Sequence, residues 1–87
     1  ANVSRATFRE TNLAHASLWH ADCTDACFDG ANLEEADLDL ANLDGCTLRG
    51  AKIRKAIFPL NRISLEAIQT SVRTGKRLVV DRRRSDD

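Results

Sequence analysis

From Ala1 to Leu60 the apolar positions recur every five residues, in twelve blocks without an insertion: ANVSR, ATFRE, TNLAH, ASLWH, ADCTD, ACFDG, ANLEE, ADLDL, ANLDG, CTLRG, AKIRK and AIFPL. The first position is Ala in ten of the twelve blocks, Thr11 and Cys46 being the exceptions. The third is apolar throughout: Val3, Phe8, Leu13, Leu18, Cys23, Phe28, Leu33, Leu38, Leu43, Leu48, Ile53 and Phe58. The remaining three positions are overwhelmingly polar. An α-helix would smear a five-residue period around its circumference, because five steps of about 100° leave successive apolar residues out of line. A continuous strand would send alternate blocks to opposite faces. A chain that turns a corner every five residues satisfies the pattern, with the first and third positions inward and the other three outward.

The blocks Ala31-Asn32-Leu33, Ala36-Asp37-Leu38 and Ala41-Asn42-Leu43 carry an A(D/N)LXX motif. In this the chain resembles the pentapeptide-repeat family over residues 1 to about 60. The resemblance implies an all-β solenoid, a right-handed quadrilateral β-helix with four blocks per coil. Twelve blocks then make three coils, stacked at about 4.8 Å. Residues twenty apart form interior columns: Val3, Cys23 and Leu43; Phe8, Phe28 and Leu48; Leu13, Leu33 and Ile53; Leu18, Leu38 and Phe58. Each such side chain contributes roughly 1.5–3 kcal/mol on burial, before entropy.

The pattern stops at Pro59, which has no amide hydrogen to give a ladder. Ser64 then has the character of an N-cap, Ile63 and Ile68 of a hydrophobic staple, and Gly75 of a C′ residue, which predicts a helix over 65–74. Leu65, Ile68 and Val72 form its expected apolar stripe. A helix this short must pack on something. The end of the third coil, with Ile53 and Phe58, is the expected surface. The chain thus divides into 1–60, the repeats, and 61–87, a C-terminal capping helix with a charged tail that includes Arg82-Arg83-Arg84. Arg77-Leu78-Val79-Val80 reads as a short extended segment. The first coil has no such cover, so either further chain or a partner covers it. A homodimer through the uncapped first coil or through the C-terminal helix is one such arrangement.

Composition sharpens this picture. Eighty-seven residues amount to one domain. No apolar run approaches the ~20 residues that cross a bilayer, so no membrane association is expected. Thirteen basic and thirteen acidic residues sum to zero, which argues against direct nucleic-acid binding through phosphate neutralisation. The neutrality is a sum over unlike regions: Asp22 to Asp44 holds eight acids and no Lys or Arg. Column register sets Asp25 over Arg5, Asp29 between Arg9 and Arg49, Glu34 beside Arg54, and Glu35 between His15 and Lys55, as cross-coil pairs. Asp22, Asp37, Asp39 and Asp44 lack such neighbours. With the outward Trp19, directly over Asp39, they form the candidate partner-binding surface.

The register separates His15, His20, Cys23, Cys27 and Cys46, so no metal site is expected, and no cofactor. Cys23 and Cys46 face inward, and Cys27 outward; free thiols suit a reducing compartment, the cytoplasm, with a thylakoid lumen or periplasm after processing as the alternative. No nucleophile–base pair, carboxylate cleft or phosphate loop appears, so no enzyme is expected. The reading is a non-catalytic protein–protein interaction or scaffold module. The alternative, implied by the resemblance, is a DNA-mimicking binder of a type II topoisomerase.

Overall fold

A computed structural model of the chain describes residues 2–80. Its backbone follows the five-residue blocks. Parallel bridges join second positions twenty residues apart, Asn2 to Asp22, Asp22 to Asn42, Thr7 to Cys27, Ser17 to Asp37 and Asp37 to Ile57. Between them, third- and fifth-position amides donate to the tier above, as Val3 N–H does to Asp22 at 2.9 Å and Arg5 N–H to Thr24 at 2.8 Å. Second-position amides donate to the tier below, as Cys27 N–H does to Ala6 at 2.9 Å. Residues up to 20, 21–40 and 41–60 therefore lie in three stacked tiers of four sides. We number the sides from the N-terminus, so the fourth side comprises 16–20, 36–40 and 56–60.

Each corner is a β-turn. The third-position carbonyl accepts from the first amide of the next block, from Val3–Ala6 at 3.0 Å to Ile53–Ala56 at 3.0 Å. The fifth residue has positive φ at every block from Arg5 to Lys55, as the second central residue of a type II turn requires. The second-position Asn or Asp braces the side before the corner: its Oδ1 accepts from the amide two residues on, in Asn2–Ser4, Asn12–Ala14, Asp22–Thr24, Asn32–Glu34, Asp37–Asp39 and Asn42–Asp44. This Asx turn is the physical content of the (D/N) in the repeat. Left-handed corners tolerate linear side chains but oppose β-branched ones. Leu40, half exposed with φ 62°, isolates that effect. Leu40→Ile, which leaves apolar area unchanged, is expected to lower stability by about 1–2 kcal/mol. Leu40→Gly is expected to be near neutral, because relief at the corner offsets added entropy in the unfolded chain. Urea melts of the pair check both.

Burial is graded along the stack. In the middle tier Cys23, Phe28, Leu33 and Leu38 are fully buried, each walled by the corner alanines Ala21, Ala26, Ala31 and Ala36. In the first tier Val3, Phe8, Leu13 and Leu18 are only partly buried. The Phe8 and Phe28 rings stack at 5.2 Å, 9° from parallel. Among the described residues, the outer rim of the first tier has no backbone partners for the carbonyls of Asn2, Ser4, Asn12 and Ala14 or the amides of Asn2 and Asn12.

Beyond the repeats, helix α1 runs Leu65–Thr74, with the Ser64 hydroxyl accepting from Ala67 N–H and Gly75 in the left-handed region at its end. Ile63 and Ile68 are buried as the staple requires. Two features differ from the expected packing. Leu65 is 51% exposed, and the helix instead turns Ser71, 0% exposed, against the third tier. The reason is a backbone need: Leu48 N–H, at the rim of the third tier, donates to Ser71 Oγ at 3.0 Å. An apolar-stripe criterion cannot see such a residue. Second, the cover lies over the first two sides rather than over Ile53. Gly50 N–H donates to Val72 O at 2.9 Å, and Leu78 exchanges bonds with Gly45 and Cys46 at 2.7 and 2.8 Å. Leu78 and Val80 point in, and Val79, 73% exposed, points out, the alternation of an added strand. The Arg82–Arg84 tail lies outside the described residues.

Candidate functional site

Of the sequence candidates, three carboxylates are engaged in the fold. Asp22 accepts from Thr24 N–H at 3.1 Å and Thr24 Oγ1–H at 2.6 Å, bonds that hold its pKa below the usual carboxylate value. Asp37 braces its side through Asp39 N–H at 3.0 Å. Asp44 Oδ1 accepts from Val80 N–H at 3.2 Å and so anchors the C-terminal segment. Asp37 shares the fourth side with Asp39 and Trp19, while Asp22 and Asp44 stand around the corner on the first side. Trp19, 55% exposed, lies on the fourth side one rung from Asp39, with its ring 5.3 Å from that of His20.

The cross-tier ion pairs are also fewer than column register suggests. Among the described residues His15 Nδ1 meets Glu35 at 3.5 Å, whereas Asp25 meets Arg77 at 3.8 Å rather than Arg5. The cause is Gly45, stacked above Asp25. Without a side chain there, Arg77 reaches over, donating to Gly45 O at 3.0 Å on its way to the carboxylate. Asp29 accepts from the backbone N–H of Arg49 at 3.0 Å rather than from its guanidinium.

What sequence reasoning missed is the composition of the fourth side as a whole. Trp19, Leu40, Ile57 and Leu60 are all outward and 50–56% exposed. They fall in the fourth, eighth and twelfth blocks, whereas Pro59 in the twelfth is buried. No other outward position of the repeats carries a large aliphatic or aromatic residue. The signal was present as a twenty-residue recurrence superimposed on the five-residue one. The same side holds no Lys or Arg, its only acids being Asp37 and Asp39. At its cap end a cavity of about 120 Å³ is lined by Leu40, Ala41, Asn42, Pro59, Asn61, Arg62 and Val80.

Other chemistry is sparse. Among the described residues no group of His, Cys, Asp and Glu is placed to hold a metal ion, and no helix is long and apolar enough to cross a membrane. All three cysteines are free. Burial pushes the Cys23 thiol up to about 11, with Asp22 adding to the effect, and the Cys46 thiol up to about 12, with Cys23 adding. The Cys46 thiol also donates to Cys23 O at 2.8 Å. At pH 8 an alkylating reagent should modify the half-buried Cys27 while leaving Cys23 and Cys46 intact in the folded state, which peptide mapping by mass spectrometry reads directly. The stability from the two buried neutral thiols is complete below their ordinary value of 9.0 and is lost as pH rises toward 11–12.

Comparison with known proteins gives concordant results. The family profile for pentapeptide repeats matches residues 1–34 and 21–58, in eight copies. No curated protein sequence matches. Among solved structures, a pentapeptide repeat protein from the Arabidopsis thaliana thylakoid lumen is 33% identical, with a TM-score of 0.64 over 66% of this chain. The pentapeptide repeat protein Rfr23 from the cyanobacterium Cyanothece 51142 is 32% identical, with a TM-score of 0.65 over 69% of this chain. The chain spans 39% and 41% of the lengths of those two chains.

Proposed function

Since the chain belongs to the pentapeptide-repeat family, we propose that it is a non-catalytic protein-interaction module: a short right-handed quadrilateral β-helix of three coils over 1–60, capped by the helix and strand-like segment that follow. Its docking surface is the fourth side. The observation that carries this reading is the confinement of the large outward apolar residues of the repeats to that one side, Trp19, Leu40, Ile57 and Leu60. Scattered exposed apolar residues are ordinary, whereas their concentration on one face is a mark of an interface. Trp at such a patch is the residue type most enriched at energetic hot spots. The prism's other sides offer mixed charge and no such patch.

The topoisomerase-binding alternative depends on the acids from Asp22 to Asp44 acting together. Asp22 and Asp37 hold turns, Asp44 holds the C-terminal segment and Glu35 faces His15, which leaves that reading with less support. The three free thiols favour a reducing compartment such as the cytoplasm, and the lumenal source of one structural neighbour keeps a processed, lumenal form as the alternative.

Affinity capture from the native extract by the wild-type protein and by an Ile57→Asp, Leu60→Asp variant tests the docking side. Loss of the captured partner, with unchanged melting of the variant, is the expected result. Identical capture by both would move the interface to another face.

A further inference from the structure

The fourth side also states what kind of partner it takes, an inference that rests on the interaction-module reading above. Its centre is acidic: Asp37 and Asp39 lie on the middle tier, flanked below by Trp19 and above by Ile57. No Lys or Arg stands on the side itself, although the chain carries thirteen elsewhere. Arg62, in the loop beyond the third tier, helps line the cavity with Leu40, Pro59 and Val80.

A second copy of the chain is the wrong occupant. A two-fold axis through the middle of the side would set Asp37 and Asp39 of one copy against the same residues of the other, and like charges at the centre of an interface are costly. The cavity, at about 120 Å³, has room for one aliphatic side chain. We infer that the fourth side receives a heterologous segment of alternating apolar and basic residues, with an aliphatic anchor in the Leu40–Pro59–Val80 cavity and Lys or Arg over Asp37 and Asp39. The apolar contacts supply the affinity and the carboxylates the choice of partner.

The chain contains a single tryptophan, and it stands in this surface, so its emission reports occupancy without a label. Two synthetic peptides of equal length, one alternating Leu and Lys and one alternating Leu and Glu, are titrated into the wild-type protein at low ionic strength. The Leu–Lys peptide is expected to shift Trp19 emission to shorter wavelength with saturation, and the Leu–Glu peptide to leave it unmoved. Asp37→Asn combined with Asp39→Asn removes both charges while Asn keeps the Oδ1 that braces the turn. That double variant is expected to weaken the Leu–Lys peptide roughly fivefold, the effect of losing two solvent-exposed ion pairs. Equal binding of the two peptides, or indifference to the double variant, overturns the partner class and leaves the docking side standing. No Trp19 response to either peptide overturns the partner class too, and the docking side falls only if the capture experiment also shows no effect of Ile57→Asp, Leu60→Asp.

Discussion

Phe28→Ala is expected to cost about 3–5 kcal/mol, the range for removing a fully buried aromatic ring and leaving a cavity. Phe28 is 0% exposed and stacks on Phe8 at 5.2 Å. A chain of this size has about 5–15 kcal/mol in total, so the variant sits near the edge of folding. Phe8→Ala is the informative control. It removes the same ring from the same column, but Phe8 is only partly buried, so the expected cost is about 1–2 kcal/mol. Both values come from urea melts. If Phe8→Ala costs as much as Phe28→Ala, the first tier is covered in solution by something besides this chain.

The second large effect concerns the segment after the repeats. A chain ending at Ser64 is expected to show no cooperative unfolding transition at 25 °C. It loses Ile68, Leu78 and Val80, each buried against the third tier, whose combined apolar burial is worth about 5–9 kcal/mol. It also strips the acceptors Ser71 Oγ, Val72 O and Leu78 O from the amides of Leu48, Gly50 and Gly45. Repeat arrays need a terminal cover of this kind, because a repeat buries its face only against a neighbour. Near-UV circular dichroism of Trp19 and the phenylalanines checks the outcome. A sigmoidal melt like that of the full chain would show that the repeats are self-sufficient.

Much of the fold is written in the sequence because its period is short and its rules are steric. Only Ala, Thr or Cys fits at a corner, so first positions announce themselves. Ser64 and Gly75 bracket the helix because unsatisfied amides and carbonyls at helix ends select those residue types. What escaped notice is what depends on the third dimension. Asp22 and Asp37 look like free surface acids until the turn that uses them is in view. Ser71 looks polar and outward until Leu48 N–H is placed above it. Arg77 reaches Asp25 across a residue that lacks a side chain, a relation no column of like positions contains. The fourth side's apolar character was accessible too, but the twenty-residue register was applied to interior columns and to charges rather than to the outward apolar positions.

The unpaired rim of the first tier is chemically lopsided. On its first and third sides the carbonyls of the second and fourth positions face outward, whereas of the corresponding amides those of Ser4 and Ala14 are turned back onto Asn2 and Asn12. The opposite rim is the reverse, with the amides of Gly45, Leu48 and Gly50 seeking acceptors. The rim of the first tier therefore carries carbonyls in excess, those of Asn2, Ser4, Asn12 and Ala14 against the amides of Asn2 and Asn12, while the opposite rim carries amides in excess and turns the Cys46 carbonyl out among them. Two like rims brought together would leave much of that excess unmatched, so backbone pairing is better satisfied where opposite rims meet. The helix and the segment through Val80 already meet that need on the first two sides, supplying acceptors to Gly45, Leu48 and Gly50 and a donor to Cys46.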